Sequence, residues 1–135
     1  MRTITEIIIH CSATPEGKDY TVEDIDRWHK ARGWRCIGYH YVVYRDGSVH
    51  EGRPIQEVGA HCTGRNAHSI GICYIGGLDS QKKPKDTRTE AQKAALLDLL
   101  KEFRARYPGI PIKGHRDYSN KACPCFDAHS EYKDL

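Results

Sequence analysis

ITEIIIH, residues 4–10, contains three consecutive isoleucines and ends on a histidine. A short β-branched run of this kind is typical of a strand that is buried on both faces of a sheet. We therefore predict a buried strand over residues 4–9, with His10 at its carboxyl end. The other elements are expected to assemble around this strand.

Four further segments carry strand signals, because they are rich in aromatic and β-branched residues or return from a tight turn. They are residues 39–44, 48–51, 70–75 and 110–114. Asp46-Gly47 is a strong hairpin signal and joins the first two of these segments. The last segment leads directly into His115.

Two amphipathic helices are predicted from their capping signals. Thr21 with Asp24 resembles a capping box, and Gly33 is a suitable stop for the helix that follows. Thr89 with Gln92 forms a better capping box. The helix after it repeats large apolar residues at helical spacing on one face, at Leu96, Leu100, Phe103 and Tyr107.

About five strands with helices packed on them predict a mixed α/β fold. The length of 135 residues suits one domain, and residues 1–135 contain no internal repeat, linker or low-complexity tract. We therefore expect a single domain over 1–135. The polar segment at residues 79–88 is expected to be exposed and mobile.

Charge and hydropathy narrow the range of partners. The net charge of +3 at pH 7 weakly favours an anionic partner such as a cell wall. No stripe of lysine and arginine is present, which argues against a nucleic-acid partner. The apolar N-terminal run is too short, and too broken by Glu6, for a signal peptide or membrane helix. We expect a monomer that is cytoplasmic as synthesised, with no membrane partner.

KGHRDYSNKACPCFD, residues 113–127, brings a histidine, a lysine and a cysteine together in sequence. Imidazole and thiolate are common zinc ligands, so His115 and Cys123 are candidates. His10 is the candidate third ligand, because the ends of two strands can meet at one edge of a sheet. Three protein ligands leave one position for water, which is typical of a catalytic zinc site and favours amide or ester hydrolysis.

Other interpretations of these residues remain open. Cys125 is a rival to Cys123 as a ligand, since the sequence Cys-Pro-Cys offers two thiols. Six cysteines also allow a disulfide framework, although Cys11 and Cys73 lie in apolar runs and are expected to be small core residues. Lys121 is either a solvated surface lysine or a group that stabilises an oxyanion.

Tyr39 begins a predicted strand, and its simplest role is core packing. At the rim of a metal site, its phenol could instead orient a water molecule or transfer a proton. The residues alone do not decide between these roles.

Four segments, taken in order, carry a family resemblance: IIIHCSAT, GWRCIGYHYVVYRDGSVHEGR, VGAHCTGRNAHSIGI and GHRDYSNKACPCFD. Together they resemble the zinc-dependent N-acetylmuramoyl-L-alanine amidases of the phage T7 lysozyme type, which share a fold with the peptidoglycan-recognition proteins. The resemblance implies a five-stranded mixed sheet flanked by helices, with a zinc groove along one sheet edge. It also implies cleavage of the amide between N-acetylmuramic acid and the L-alanine of the peptidoglycan stem peptide.

The resemblance further implies a role for each matching residue: zinc ligation for His10, His115 and Cys123, catalysis for Tyr39 and Lys121, and substrate binding for His61 and Asn66. It makes Zn²⁺ the expected cofactor and bacterial peptidoglycan, or its fragments, the expected partner. The main alternative is a peptidoglycan-binding module without catalysis. The recognition branch of this fold often lacks the cysteine ligand, so the presence of Cys123 together with Lys121 and Tyr39 favours an enzyme.

Overall fold

The computed structural model describes residues 2–135, which form seven strands and three helices. The strands are β1 (Glu6–Cys11), β2 (Thr14–Pro15), β3 (Tyr41–Val43), β4 (Val49–Glu51), β5 (Ser69–Tyr74), β6 (Gly77–Leu78) and β7 (Ile112–Gly114). The helices are α1 (Val22–Ala31), α2 (Glu90–Arg106) and α3 (Ala128–Tyr132).

β1 lies inside a five-stranded sheet of order β4-β3-β5-β1-β7. Its neighbours β5 and β7 both run parallel to it, and every residue of β1 is buried. A parallel strand covered on both faces explains why its sequence is a continuous apolar run instead of an alternating one. Because β3 and β4 pair antiparallel, the sheet is mixed, as predicted.

β1 extends further than predicted. His10 pairs with Cys73 and Cys11 pairs with Tyr74, since β5 continues alongside. The prediction that His10 terminates the strand was therefore wrong by one residue. The backbone of His10 is fixed by ladder pairing, which holds its side chain more firmly than a loop would.

The predicted hairpin is present between β3 and β4. The Asp46 side chain accepts a hydrogen bond from the Ser48 backbone N–H at 2.8 Å, and Gly47 has φ +87°. A residue with positive φ is needed at such a turn, and glycine adopts that conformation without strain.

Both predicted capping boxes are present, at the start of α1 and of α2. The Gln92 side chain of the second box is also buried, and it donates hydrogen bonds to the carbonyls of Val43 and Ile75 at 3.2 and 3.0 Å. This amide therefore joins the start of α2 to the sheet.

Over residues 2–135, no helix combines the length and the apolar character that crossing a bilayer requires.

The helices cover opposite faces of the sheet. Ile7 and Ile9 of β1 share a core cluster with Leu96 and Leu100 of α2. A second cluster contains residues of α1 and the opposite face of β3. Because side chains alternate along a strand, His10 points to the face away from Ile7 and Ile9. The face that carries α1 is therefore the one onto which His10 projects.

The polar segment at residues 79–88 is largely exposed, but Arg88 is buried. Its guanidinium donates to Asp86 at 2.9 Å and to Glu131 of α3 at 2.8 Å. It also lies over the Phe126 ring, 3.4 Å from the centroid. The prediction of an exposed, mobile segment is wrong at this end, because the ion pairs anchor it to α3.

We expect Arg88→Met to lower the free energy of unfolding by about 2 kcal/mol, measured by urea denaturation. The substitution keeps an apolar stem but leaves two carboxylates without their cation. Arg45→Met is the matched control, because Arg45 pairs with Asp19 at the surface and should change stability by less than about 1 kcal/mol. Equal effects of the two substitutions would contradict the anchoring role of Arg88.

Candidate active site

The carboxyl ends of β1 and β7 bring two histidines together. Ile9 of β1 pairs with Gly114 of β7. The residues that follow them, His10 and His115, therefore lie side by side. Their ring centroids are 4.7 Å apart. His115 begins a short 3₁₀ turn directly after β7, and this turn carries the chain over the end of the sheet.

Cys123 approaches the two histidines from the loop before α3. Its Sγ lies 3.9 Å from Nδ1 of His10, and the three ligand atoms of His10, His115 and Cys123 lie within 4.8 Å of one another. The Cys11 backbone N–H donates to this Sγ at 3.2 Å. The Arg116 N–H donates to the Cys123 carbonyl at 2.7 Å. The structure thus brings together the three predicted ligands, which could hold a metal ion.

The protonation of the histidines suits metal binding. Burial, together with the neighbouring His61, His115 and Lys121, lowers the pKa of His10 well below its usual value. Burial and the charge of Lys121 also lower the pKa of His115. Both rings are therefore neutral near neutral pH, and a neutral imidazole has the free lone pair that a metal requires.

Tyr39 packs against the cluster just before β3. Its ring centroid lies 5.1 Å from that of His10 and 5.4 Å from that of His29. Burial of the hydroxyl, with the Cys73 and Cys123 thiols nearby, raises the pKa of Tyr39 well above its ordinary value. The phenol is therefore protonated near neutral pH, and it can both donate and accept a hydrogen bond.

A groove lies beside the candidate ligands, with His115 and Cys123 in its lining and His10 buried behind them. It contains a cavity of about 430 Å³ and a neighbouring one of about 160 Å³. Five side chains line both cavities: His29, Arg32, Tyr39, His115 and Lys121. Among the described residues, neither cavity is lined by a carboxylate. The exposed ammonium of Lys121 and the Arg32 guanidinium therefore give the groove a positive character.

The two predicted substrate-binding residues line the larger cavity, but their hydrogen bonds are directed into the protein. Asn66 Oδ1 accepts from the backbone N–H groups of His61 and Cys62, at 2.9 and 3.0 Å. His61 Nδ1 lies 2.8 Å from Nε2 of His10. Burial and the charge of His40 lower the pKa of His61 to about 3, so its ring is neutral.

Cys125 is not part of the metal-competent cluster. Its Sγ points towards the Gly77 carbonyl at 3.2 Å and the Cys11 Sγ at 4.0 Å. The structure therefore places Cys123, and not Cys125, beside the two histidines. All six cysteines are free thiols, and Cys11 and Cys73 are buried as predicted.

Sequence reasoning missed several residues of the groove, among them Arg32 and Trp34, which flank Gly33. Both line the larger cavity, and the Arg32 guanidinium lies 5.6 Å from the centroid of the Trp34 ring. The available signal was an arginine before the helix stop Gly33 and a tryptophan after it, a few residues ahead of Tyr39.

Fold and site together define a class of protein. The mixed sheet brings two histidines together at the carboxyl ends of two parallel strands, and a cysteine joins them from the loop before α3. A groove with a tyrosine and a lysine in its walls lies beside this cluster. Three metal-competent side chains beside an accessible cleft are the arrangement of hydrolytic metal centres, in which a fourth position is left for water or substrate.

Comparison with known proteins identifies the family within this class. The N-acetylmuramoyl-L-alanine amidase family matches residues 1–126. Endolysins of Klebsiella phage KP32 and Escherichia phage T7 are 43% and 42% identical over 123 and 121 residues, which are 91% and 90% of this chain and 82% and 80% of those proteins. The chain therefore belongs to the N-acetylmuramoyl-L-alanine amidase family.

A solved structure agrees with this assignment. The N-acetylmuramoyl-L-alanine amidase LysC from Clostridium intestinale URNW superposes with a TM-score of 0.81 and 29% identity, covering 98% of this chain and 84% of LysC. The resemblance to the T7-type amidases, the mixed α/β fold and the assignment as an amidase enzyme are confirmed. The non-catalytic module is correspondingly disfavoured.

Proposed function

We propose that this chain, acting as a single amidase domain, hydrolyses the amide between the lactyl group of N-acetylmuramic acid and the L-alanine of the peptidoglycan stem peptide. Zinc is the proposed cofactor, with His10, His115 and Cys123 as its ligands. The observation that carries the proposal is the His-His-Cys cluster opening onto a groove in a member of the amidase family.

The donor set fits zinc in both chemistry and spacing. Two imidazole nitrogens and one thiolate are ligands that zinc commonly takes. With bonds of about 2.3 Å to sulfur and about 2.0 Å to nitrogen, a tetrahedral ion would place a sulfur and a nitrogen donor about 3.5 Å apart. The separation of 3.9 Å between His10 Nδ1 and Cys123 Sγ needs only a small adjustment to reach that spacing.

The proposed reaction breaks one C–N bond and forms one C–O bond. Water adds to the lactyl carbonyl carbon and the C–N bond breaks. The lactyl group remains on the muramic acid as a carboxylate, and the L-alanine amine leaves with the protons that the water gives up. A bound zinc ion supplies a Lewis acid that polarises the carbonyl and makes water more acidic. The neutral Tyr39 phenol is suited to orient the attacking water by hydrogen bonding, because Tyr39 lines both cavities and lies beside His10.

Lys121 is the proposed stabiliser of the developing oxyanion. Its ammonium lines both cavities and is close enough to His10 and His115 to lower the pKa of each. A positive charge at the wall of a partly enclosed groove interacts more strongly with an oxyanion than it would in water.

Asn66 contributes to substrate binding through its amide NH₂ group, since its carbonyl oxygen already holds the loop.

The groove suits an acidic peptide. Arg32 and Lys121 line both cavities, and the described lining includes no carboxylate that would repel a substrate carboxylate. Peptidoglycan stem peptides carry such carboxylates.

We propose that the chain works as a monomer, either on the cell wall after release from the cell or on wall fragments in the cytoplasm.

Digestion of purified cell walls tests the proposed bond. We expect new L-alanine amino termini and free lactyl carboxyl groups, identified by mass spectrometry of the soluble products. A chelator should abolish product release and added zinc should restore it, with metal content measured on the same samples. New reducing sugar ends without new amino termini would indicate a glycosidase, and binding without cleavage would indicate a recognition module.

A further inference from the structure

The two ring nitrogens of His10 face different partners. Nδ1 lies 3.9 Å from the Cys123 Sγ, and Nε2 lies 2.8 Å from Nδ1 of His61. A neutral imidazole carries one proton, and a ligating nitrogen must be free of it. If Nδ1 faces the metal, the proton of His10 must be on Nε2, where it can be donated to His61.

The same reasoning fixes the proton of His61. Its Nδ1 must be unprotonated to accept from His10, so its own proton lies on Nε2. That nitrogen lies 3.2 Å from the hydroxyl oxygen of Ser69, which is fully buried and accepts the hydrogen bond. His10, His61 and Ser69 therefore form a chain in which each proton has one position compatible with metal binding.

The surroundings of His61 leave space for an imidazole and little else. A Cβ atom at Gly71 would lie 2.6 Å from ring atoms of His61, and one at Gly59 would lie 2.7 Å from the same ring. The ring meets His10 edge-on, at an interplanar angle of 90° and a centroid distance of 4.9 Å. Two glycines and the loop fixed by Asn66 thus hold His61 in the orientation that the hydrogen bond requires.

We propose that His61 is a positioning residue: it accepts the Nε2 proton of His10 and so directs the Nδ1 lone pair of His10 at the metal. This proposal rests on the proposed metal site, and it gives His61 a role beyond lining the substrate groove. Ligating histidines generally donate their second N–H to a partner that fixes the ring and its tautomer. Here that partner is a neutral imidazole, which adds no negative charge beside the site.

Zinc affinity of the full chain, measured without substrate by chelator competition, tests the proposal. We expect His61→Leu to weaken zinc binding about 10- to 100-fold, because the acceptor is lost. His61→Asn should recover most of that affinity, since Oδ1 of asparagine replaces Nδ1 as the acceptor. Substituting Co²⁺ for zinc should give a visible spectrum that changes in the leucine variant and is restored in the asparagine variant.

His68→Leu is the matched control, because His68 is an exposed histidine that hydrogen bonds to the Thr3 carbonyl. It should leave zinc affinity unchanged. Wild-type affinity in folded His61→Leu would overturn the proposal. Equal weakening by leucine and asparagine would also overturn it, since packing and not the acceptor would then be responsible.

The tautomers can also be read directly in the wild-type chain, which removes any dependence on variants that fail to fold. Imidazole ¹⁵N NMR of the zinc-loaded protein should show both His10 and His61 protonated at Nε2. A proton on Nδ1 of His61 would overturn the proposal. Because neither affinity nor NMR uses peptidoglycan, failure of the proposed amide cleavage would be seen separately, in the wall-digestion products.

Discussion

Cys123→Ser should reduce kcat/KM on peptidoglycan at least about 1000-fold and remove most of the bound zinc. The serine hydroxyl stays protonated near neutral pH and is a far weaker zinc ligand than a thiolate. Metal-derived stabilisation of a transition state is worth several kcal/mol, and each 1.36 kcal/mol corresponds to a factor of ten in rate. The measurement is product release from cell walls, with zinc content determined on the same preparation.

The chain supplies its own matched control for this substitution. Cys125 is the same residue type two positions later, but its Sγ points towards the Gly77 carbonyl, away from the candidate ligands. Cys125→Ser should therefore retain zinc and most of the activity. If Cys123→Ser kept full activity, or if Cys125→Ser lost as much zinc, the assignment of Cys123 as the ligand would be wrong.

The elements that sequence predicted well are those whose signals are local. The isoleucine run, the Asp46-Gly47 turn and the two capping boxes each depend on neighbouring residues, and each is present in the structure. The mixed sheet followed from counting strands and helices. Strand boundaries were less accurate, because β1 ends where pairing with β5 ends, and that pairing is not encoded within β1 itself.

The errors concern contacts between distant parts of the chain. Arg88 is in a polar segment, and its burial depends on Glu131, which lies more than forty residues later. The short helix α3 and the two-stranded sheet formed by β2 and β6 were not predicted either. Short elements carry too little periodic pattern to be recognised, and they form because the rest of the fold brings their partners near.

The candidate site shows the same division. His10, His115 and Cys123 could be predicted as a set because strand ends converge and because the family resemblance covers all three. Their mutual distances, and the direction in which Cys125 points, required the structure. The hydrogen bond between His10 and His61 depends on two glycines that make room for a ring, and no local pattern around residue 61 indicates it.

Lys121→Met should lower kcat about 100- to 1000-fold while leaving zinc content and KM close to wild-type values. Methionine has a similar length but no charge, so the substitution removes the ammonium and retains most of the apolar stem. Lys121 is exposed and is not a metal ligand, so the fold and the metal site should both survive. Steady-state kinetics on a soluble muropeptide would separate kcat from KM.

Lys101→Met is the control, because Lys101 is an exposed lysine of α2 that lines neither cavity of the groove. It should leave both kinetic constants unchanged. A rise in KM alone for Lys121→Met would mean that the ammonium binds the stem peptide in the ground state and does not act on the oxyanion. A fall in kcat at constant KM is the result expected of a charge that acts mainly in the transition state, because only interactions that strengthen there accelerate the chemical step.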